Sequence, residues 1–372
     1  MRELAYIQTI KSLSPIPDAD AIEKAEVLGW SLVVKKGEFK VGDRCCYLEI
    51  DSVVPEYPCF EFLRSKKFRI KTVKLRGQIS QGIAFPVSII NEIDPSFDIS
   101  KLSIGQDVTE VLKITKYESE PEEEQVEQVK KTWLENKLSY YKWKLFGIKP
   151  IKRGTYPLDI PKTEEQRVQK MGKELEEHLG KRCYITEKVE GCSSTFVYRT
   201  GGNWLAKLFG KDGSFQVCSR NITVFNSQNG KSRPHHLITV AEKYDLHNKL
   251  KKLDCDIAIQ GETCGPKIQG NIYKLPELEF KVFSIYDIGQ KRYLSYLDMY
   301  NLCEELNLPM VPFVGYERIV NSTSYYVEKS ADNSRINKNV LREGIVVRTL
   351  DGKLSFKSIN PNYLLRQELK AK

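Results

Sequence analysis

In the first third of the chain, apolar positions come in short runs rather than at the three-to-four spacing of a helix. Residues 28–34, 44–50, 68–75 and 82–87 are rich in β-branched and aromatic side chains, which pack well on a pleated surface. Turn-forming pairs such as Lys36-Gly37 and Gly42-Asp43 separate them, so each run reads as a strand. Short strands without a helix between them predict a small barrel, and a five-stranded OB-type β-barrel fits residues 1–112.

Residues 113–154 read as a connector. The acidic stretch at 118–126 is too polar to bury and predicts a linker or a solvated helix start. Residues 130–153 interleave lysines with Trp133, Tyr140, Tyr141, Trp143 and Phe146. That mixture suits a basic-aromatic surface for nucleic acid, and equally an amphipathic segment packed on a neighbour. From 155 to 372 the pattern alternates. Residues 162–179, 237–253 and 296–307 predict helices. Strands are expected at 184–188, 195–199, 215–219, 257–262, 278–286 and 344–348. This is an α+β domain with largely antiparallel sheets, and no internal repeat is visible.

Composition narrows the class. With 41% apolar residues and 10% aromatics, the chain can bury real cores and is not disordered. No apolar stretch reaches the roughly 20 residues of a membrane span, and the N-terminus lacks the pattern of a secretory signal. The nine cysteines form no C-x-x-C pair, and four histidines offer no zinc spacing. They read as reduced, mostly buried thiols of an intracellular, reducing compartment, cytoplasmic or nuclear. The net charge of +9 allows a polyanionic partner without requiring one. Within it, Arg64, Lys66, Lys67, Arg69, Lys71, Lys74 and Arg76 crowd one short segment. Strand alternation would send about half of them to one face, enough for several phosphate contacts. A charged edge strand would explain the same residues.

Lys188-Val-Glu-Gly191 carries the candidate chemistry. K-x-x-G alone says little, since the chain has four others, starting at Lys74, Lys144, Lys207 and Lys267. Lys188 differs in closing an apolar strand and in having an acid two residues on. In extended chain, i and i+2 share a face, and Gly191 allows a turn or a close ligand. Amine and carboxylate together suit a nucleophile and metal pair; a surface salt bridge is the plainer reading. Downstream, Glu262 follows an apolar strand between glycines, and Phe283 lies in an aromatic-rich strand. Glu343-Gly344 opens a buried strand, and Lys357 interrupts an apolar one. An inward lysine is costly without an anion. Arg220 stands at a similar strand end.

In this order, the segments resemble the covalent nucleotidyltransferase superfamily of ATP-dependent ligases and RNA capping enzymes. The resemblance implies that Lys188, in the first motif, takes AMP as a phosphoramidate, with Glu187 beside it among the ATP-binding residues. Ser219-Arg220 matches the next motif. Glu262 would hold the ribose, and Phe283 the adenine face. Glu343 would serve metal and phosphate, with Glu190 as a second metal residue. Lys357 would grip the α-phosphate. Only residues 358–372 follow Lys357, so the OB domain that DNA ligases and capping enzymes carry there is not expected, and the candidate barrel lies in front. That order resembles the ATP-dependent RNA ligases with an N-terminal OB module, which seal 3′-OH nicks; segments 68–82 and 161–169 are similar to that branch. ATP and Mg²⁺ or Mn²⁺ are the implied cofactors. The implied partner is RNA with a 3′-OH/5′-phosphate break in a nicked duplex, bound by a monomer with no membrane. Lys66, Lys67, Arg69, Lys71, Lys74 and Arg76 would meet the nucleic acid. A DNA ligase, a guanylyltransferase and a non-catalytic RNA-binding protein with a ligase-like fold remain open. Three features depart from the pattern: Glu190 replaces the usual Asp, Ile359 replaces a common lysine, and 32 residues separate Lys188 from Arg220. The last suggests a long hairpin with Gly201-Gly202 at its tip.

Overall fold

The computed structural model describes residues 3–117, 155–201, 213–226 and 235–370. The stretches 118–126 and 130–153 and Gly202 lie outside the described residues. The N-terminal strands are β1 (Ala5–Thr9), β2 (Ser12–Pro15), β3 (Ile22–Val27), β4 (Trp30–Lys35), β5 (Arg44–Leu48), β6 (Ser52–Val53), β7 (Thr72–Leu75), β8 (Gln78–Gln81) and β9 (Ile83–Pro86). β5 lies between β1 and β9, β3 between β2 and β4, and β7 pairs with β8. Strands other than β7 and β8 share one core around Trp30, Leu32, Tyr47 and Phe60. This is the OB-type barrel that the short-run pattern predicts. β10 (Thr115–Lys116) pairs with β6, and the Tyr117 N–H donates to Asp51 O at 2.7 Å, so the chain stays with the barrel through Tyr117.

Two barrel strands start two or more residues later than expected, for backbone reasons. Leu28 has φ 60° and turns the chain between β3 and β4, so that strand starts at Trp30. Lys67 and Phe68, at φ 52° and 56°, close a 3-10 helix at Pro58–Lys66, so β7 starts only at Thr72.

The second domain is built on two sheets. Its strands are β11 (Gln166–Arg167), β12 (Arg182–Lys188), β13 (Cys192–Arg199), β14 (Ser214–Cys218), β15 (Thr223–Asn226), β16 (Ile257–Cys264), β17 (Glu279–Asp287), β18 (Arg292–Tyr293), β19 (Phe313–Arg318), β20 (Gly344–Thr349) and β21 (Ser355–Ile359). One sheet runs β11-β21-β20-β12-β19 and the other β15-β14-β13-β16-β17-β18. Among the described residues, every pairing between these strands is antiparallel except β11 with β21. Helices Gly172–Glu177 and Thr323–Ser330 cover one face of the first sheet, burying Leu175 and Tyr326 against Cys183, Ile185, Ile345, Val347 and Phe356. Helices His236–Lys243, Leu246–Lys252 and Tyr296–Glu305 cover the outer face of the second. The helix expected at 162–179 forms only as a 3-10 turn at Val168–Lys170 and an α-helix at Gly172–Glu177. Gln166 and Arg167 pair instead with Phe356 and Lys357; edge pairing overrides a weak local preference. Among the described residues, no helix is long and apolar enough to cross a membrane.

Period-two alternation decides what the first sheet offers. With Cys183, Ile185, Ile345, Val347 and Phe356 under the helices, the intervening positions Thr186, Lys188, Val346, Arg348 and Lys357 line a cleft. The packing is tight: a Cβ on Gly344 would stand 2.2 Å from Ser358 O of β21. Gly344→Ala should lower the unfolding free energy by about 1–3 kcal/mol, read by urea denaturation. An unchanged midpoint would show that β20 and β21 spread freely.

Candidate active site

The cleft holds about 490 Å³, and its walls include Lys188, Glu190, Arg220, Glu262, Phe283, Glu343 and Lys357. Residues separated by up to 169 positions in sequence thus meet in one place. Lys188 ends β12 opposite Gly344, the first residue of β20. That register sets Glu343 beside it, with Lys188 Nζ 2.8 Å from Glu343 Oε1. Burial pulls the Lys188 ammonium toward neutrality, but Glu343, Glu262 and Glu165 outweigh it and hold its pKa above the ordinary value. The resting amine is therefore a cation. Glu262 shows the converse: burial pushes its carboxyl up to about 8, helped by Glu343 and Glu165 and opposed by Lys188 and Arg220. Lys357, opposite Val346, is pushed down to about 8 by burial and by the nearby cations Lys188 and Arg167.

Arg220 sits at the rim, ion-paired with Glu164. Phe283 is fixed from behind: its carbonyl accepts a hydrogen bond from Arg348 Nη1 at 3.1 Å, and the guanidinium lies 5.9 Å from its ring centre. Arg348 also pairs with Glu165, both side chains largely buried. Sequence reasoning missed this pair. Arg348 carries the same strand parity as Val346 and Gly344, which was a usable signal. Glu165 lies in the segment 161–169 that resembles the RNA-ligase branch, but that segment reads as helix and no residue in it is singled out.

Two expected site residues sit differently from the simple strand argument. Glu187 lies on the opposite parity from Lys188. Its carboxylate accepts from Ser334 Oγ at 2.5 Å and from the Arg335 N–H at 2.7 Å, and burial raises its pKa. Glu190 does not share a strand face with Lys188, because β12 stops at Lys188. It lines the cleft from the connector to β13. Its N–H donates to the Tyr273 hydroxyl at 2.7 Å, and its Oε1 accepts from Gln367 Nε2 at 2.8 Å.

The basic segment divides. Arg64 pairs with Glu61 and Glu56. Arg69 bridges Asp51 at 2.7 Å and Glu368 at 2.9 Å, and Lys71 reaches Glu368 at 3.0 Å. Lys66, Lys67, Lys74 and Arg76 are exposed. Among the described residues, no three His, Cys, Asp or Glu groups converge to hold a metal unaided. Hard oxygen donors do line the cleft, among them the carboxylates of Glu190, Glu262 and Glu343. That fits a cation that keeps several waters and shares substrate phosphates, as Mg²⁺ does. Glu187→Ala, which strands Ser334 Oγ and the Arg335 N–H, should cost about 1–3 kcal/mol of stability in denaturant unfolding. Lost nucleotide affinity with unchanged stability would instead place that carboxylate on the ligand.

Comparison with known proteins agrees with this geometry. A family model for RNA ligase matches residues 181–360, and one for an OB-fold domain matches residues 4–87. No curated protein matches the chain. Solved structures of Naegleria gruberi RNA ligase do. A mutant with AMP and Mn is 32% identical, with a TM-score of 0.76 over 99% of each chain. A mutant with ATP and Mn is 32% identical, with a TM-score of 0.75 over 98% of this chain and 99% of that one. The ligase with PPi is 32% identical, with a TM-score of 0.74 over 100% of each. With that identity along nearly the whole length, and with the motif side chains gathered in one cleft, the chain belongs to the RNA ligase family.

Proposed function

We propose that this chain is an ATP-dependent RNA ligase that works through a lysyl-AMP intermediate on Lys188. The observation that carries the reading is the single cleft in which the Lys188–Glu343 pair, Glu262 and Lys357 meet. It would act in three transfers. The Lys188 amine attacks the α-phosphorus of ATP; the N–P bond forms, and the bond to the bridging oxygen breaks as pyrophosphate leaves. A 5′-phosphate oxygen of RNA then takes the AMP, and the N–P bond breaks. Finally the adjacent 3′-OH attacks that 5′-phosphate and expels AMP, leaving a phosphodiester. A divalent Mg²⁺ or Mn²⁺ held by Glu343 and Glu190 would neutralise phosphate charge.

The protein's own groups position and neutralise. Lys188 must lose a proton before attack, and Glu343 Oε1 is within reach of it. Lys357 would sit as a point charge on the α-phosphate. Glu262 would accept from the ribose hydroxyls, and Phe283 would stack on adenine for about 1–3 kcal/mol. The substrate would be a 3′-OH/5′-phosphate break in duplex RNA, sealed by a monomer in a reducing, intracellular compartment. On the barrel, Lys66, Lys67, Lys74 and Arg76 are the exposed candidates for phosphate contacts, whereas Arg69 and Lys71 are engaged by Glu368.

Lys188→Ala should abolish the covalent adduct formed from α-labelled ATP and still seal a pre-adenylylated nick. Label on the variant would remove Lys188 from the nucleophile's role. Lys74→Ala combined with Arg76→Ala should leave adduct formation intact and flatten the log–log salt dependence of nicked-RNA binding by about 1–2. An unchanged slope would take the hairpin off the RNA.

A further inference from the structure

The helix Pro361–Lys370 touches both domains. Its start is pinned around Glu343: the Asn360 N–H donates to Glu343 O at 2.9 Å, and Asn360 Nδ2 to Arg342 O at 3.2 Å. Asn360 Oδ1 then caps the helix by accepting from the Asn362 N–H at 3.0 Å. Beyond the cap, two stripes of i, i+4 side chains face different ways. Leu364 packs against the barrel core, and Glu368 takes Arg69 and Lys71 of the barrel. Tyr363 lines the cleft, and Gln367 reaches Glu190 on its wall. Gln367 Nε2 has two N–H groups; it contacts Glu190 Oε1 at 2.8 Å and the Tyr363 hydroxyl at 2.9 Å. The Tyr363 hydroxyl is buried nearby, and burial, with the charges of Glu343 and Glu190, holds its pKa above the ordinary value.

Glu190 needs such support. It lies past the end of β12, so sheet pairing fixes neither its backbone nor the direction of its long side chain. We propose that Gln367 and Tyr363 are positioning residues that aim the Glu190 carboxylate into the cleft, and that the barrel sets their helix through the Arg69 and Lys71 contacts to Glu368. The inference rests on the ligase reading above. It explains how this chain uses a glutamate at that position: the longer side chain is tied back at its tip. It also gives the barrel a role in the nucleotide step that requires no contact with ATP or RNA.

The test is a mutant cycle on the full chain with Gln367→Met, Glu190→Gln and the double variant, with circular dichroism confirming the fold. Two quantities are read. One is the Mn²⁺ concentration that half-saturates adduct formation from labelled ATP. The other is Mn²⁺ binding without turnover, followed by its paramagnetic resonance in the presence of a non-hydrolysable ATP analogue. Gln367→Met should weaken both by about five-fold or more in the wild-type background and by less than about two-fold in Glu190→Gln, because contacting residues are not additive. Glu368→Gln should shift them in the same direction, again only when Glu190 is present. Equal effects in both backgrounds, or none in the wild type, would overturn the inference while leaving the ligase reading intact. Should Gln367→Met not fold, Tyr363→Phe removes one hydroxyl and is judged by the same pattern. A wild-type chain that forms no adduct would instead defeat the ligase reading itself.

Discussion

A half-buried ammonium held 2.8 Å from a carboxylate is the contact on which the cleft depends. Lys188 ends β12 and Glu343 immediately precedes β20, far apart in sequence, and the β12–β20 register brings them together. Taking two charges out of water costs several kcal/mol, and their mutual attraction offsets a similar amount. At Lys188 the carboxylates outweigh burial. The balance leaves Lys188 charged at rest yet sensitive to whatever competes for its carboxylates, a useful state for a side chain that must give up a proton.

The two-sheet frame makes that contact possible. The chain leaves one sheet at Lys188 and enters the other at Cys192, so the connector between them forms part of the cleft wall. The crossing is close. A Cβ on Gly191 would lie 2.3 Å from Thr263 O, so the turn accepts only glycine without movement. Helices cover the outer faces with apolar side chains, and the inward positions are left for charged ones. Much of the charge in the cleft is paired: Lys188 with Glu343, Arg348 with Glu165, and, at the exposed rim, Arg220 with Glu164.

The barrel is tied to this frame by charge as well as by packing. Lys170 reaches the buried Glu49 at 3.1 Å, and Arg69 links Asp51 to Glu368. These contacts join the barrel's strand ends to the segment before β12 and to the last helix. The same basic segment thus divides into residues that hold the domains together and residues left to solvent. Sequence spacing cannot make that division, because it depends on where Asp51 and Glu368 lie in space.

The sequence determined the order of motifs, the strand that ends at Lys188 and the parity that puts Lys357 inward. These follow from local rules: alternation, turn residues and the cost of burying an unpaired charge. It also fixed the barrel-first arrangement. Tertiary structure decided the rest. Glu165 joined the site because residues 166–167 pair with β21 rather than extending a helix. Glu187 lines the cleft from the opposite strand parity, its carboxylate satisfied by Ser334 and Arg335. Gln367 met Glu190 across 177 positions of sequence. Contacts at such separations leave no period in the chain, since they arise from how finished elements pack and not from the conformational preference of any one of them.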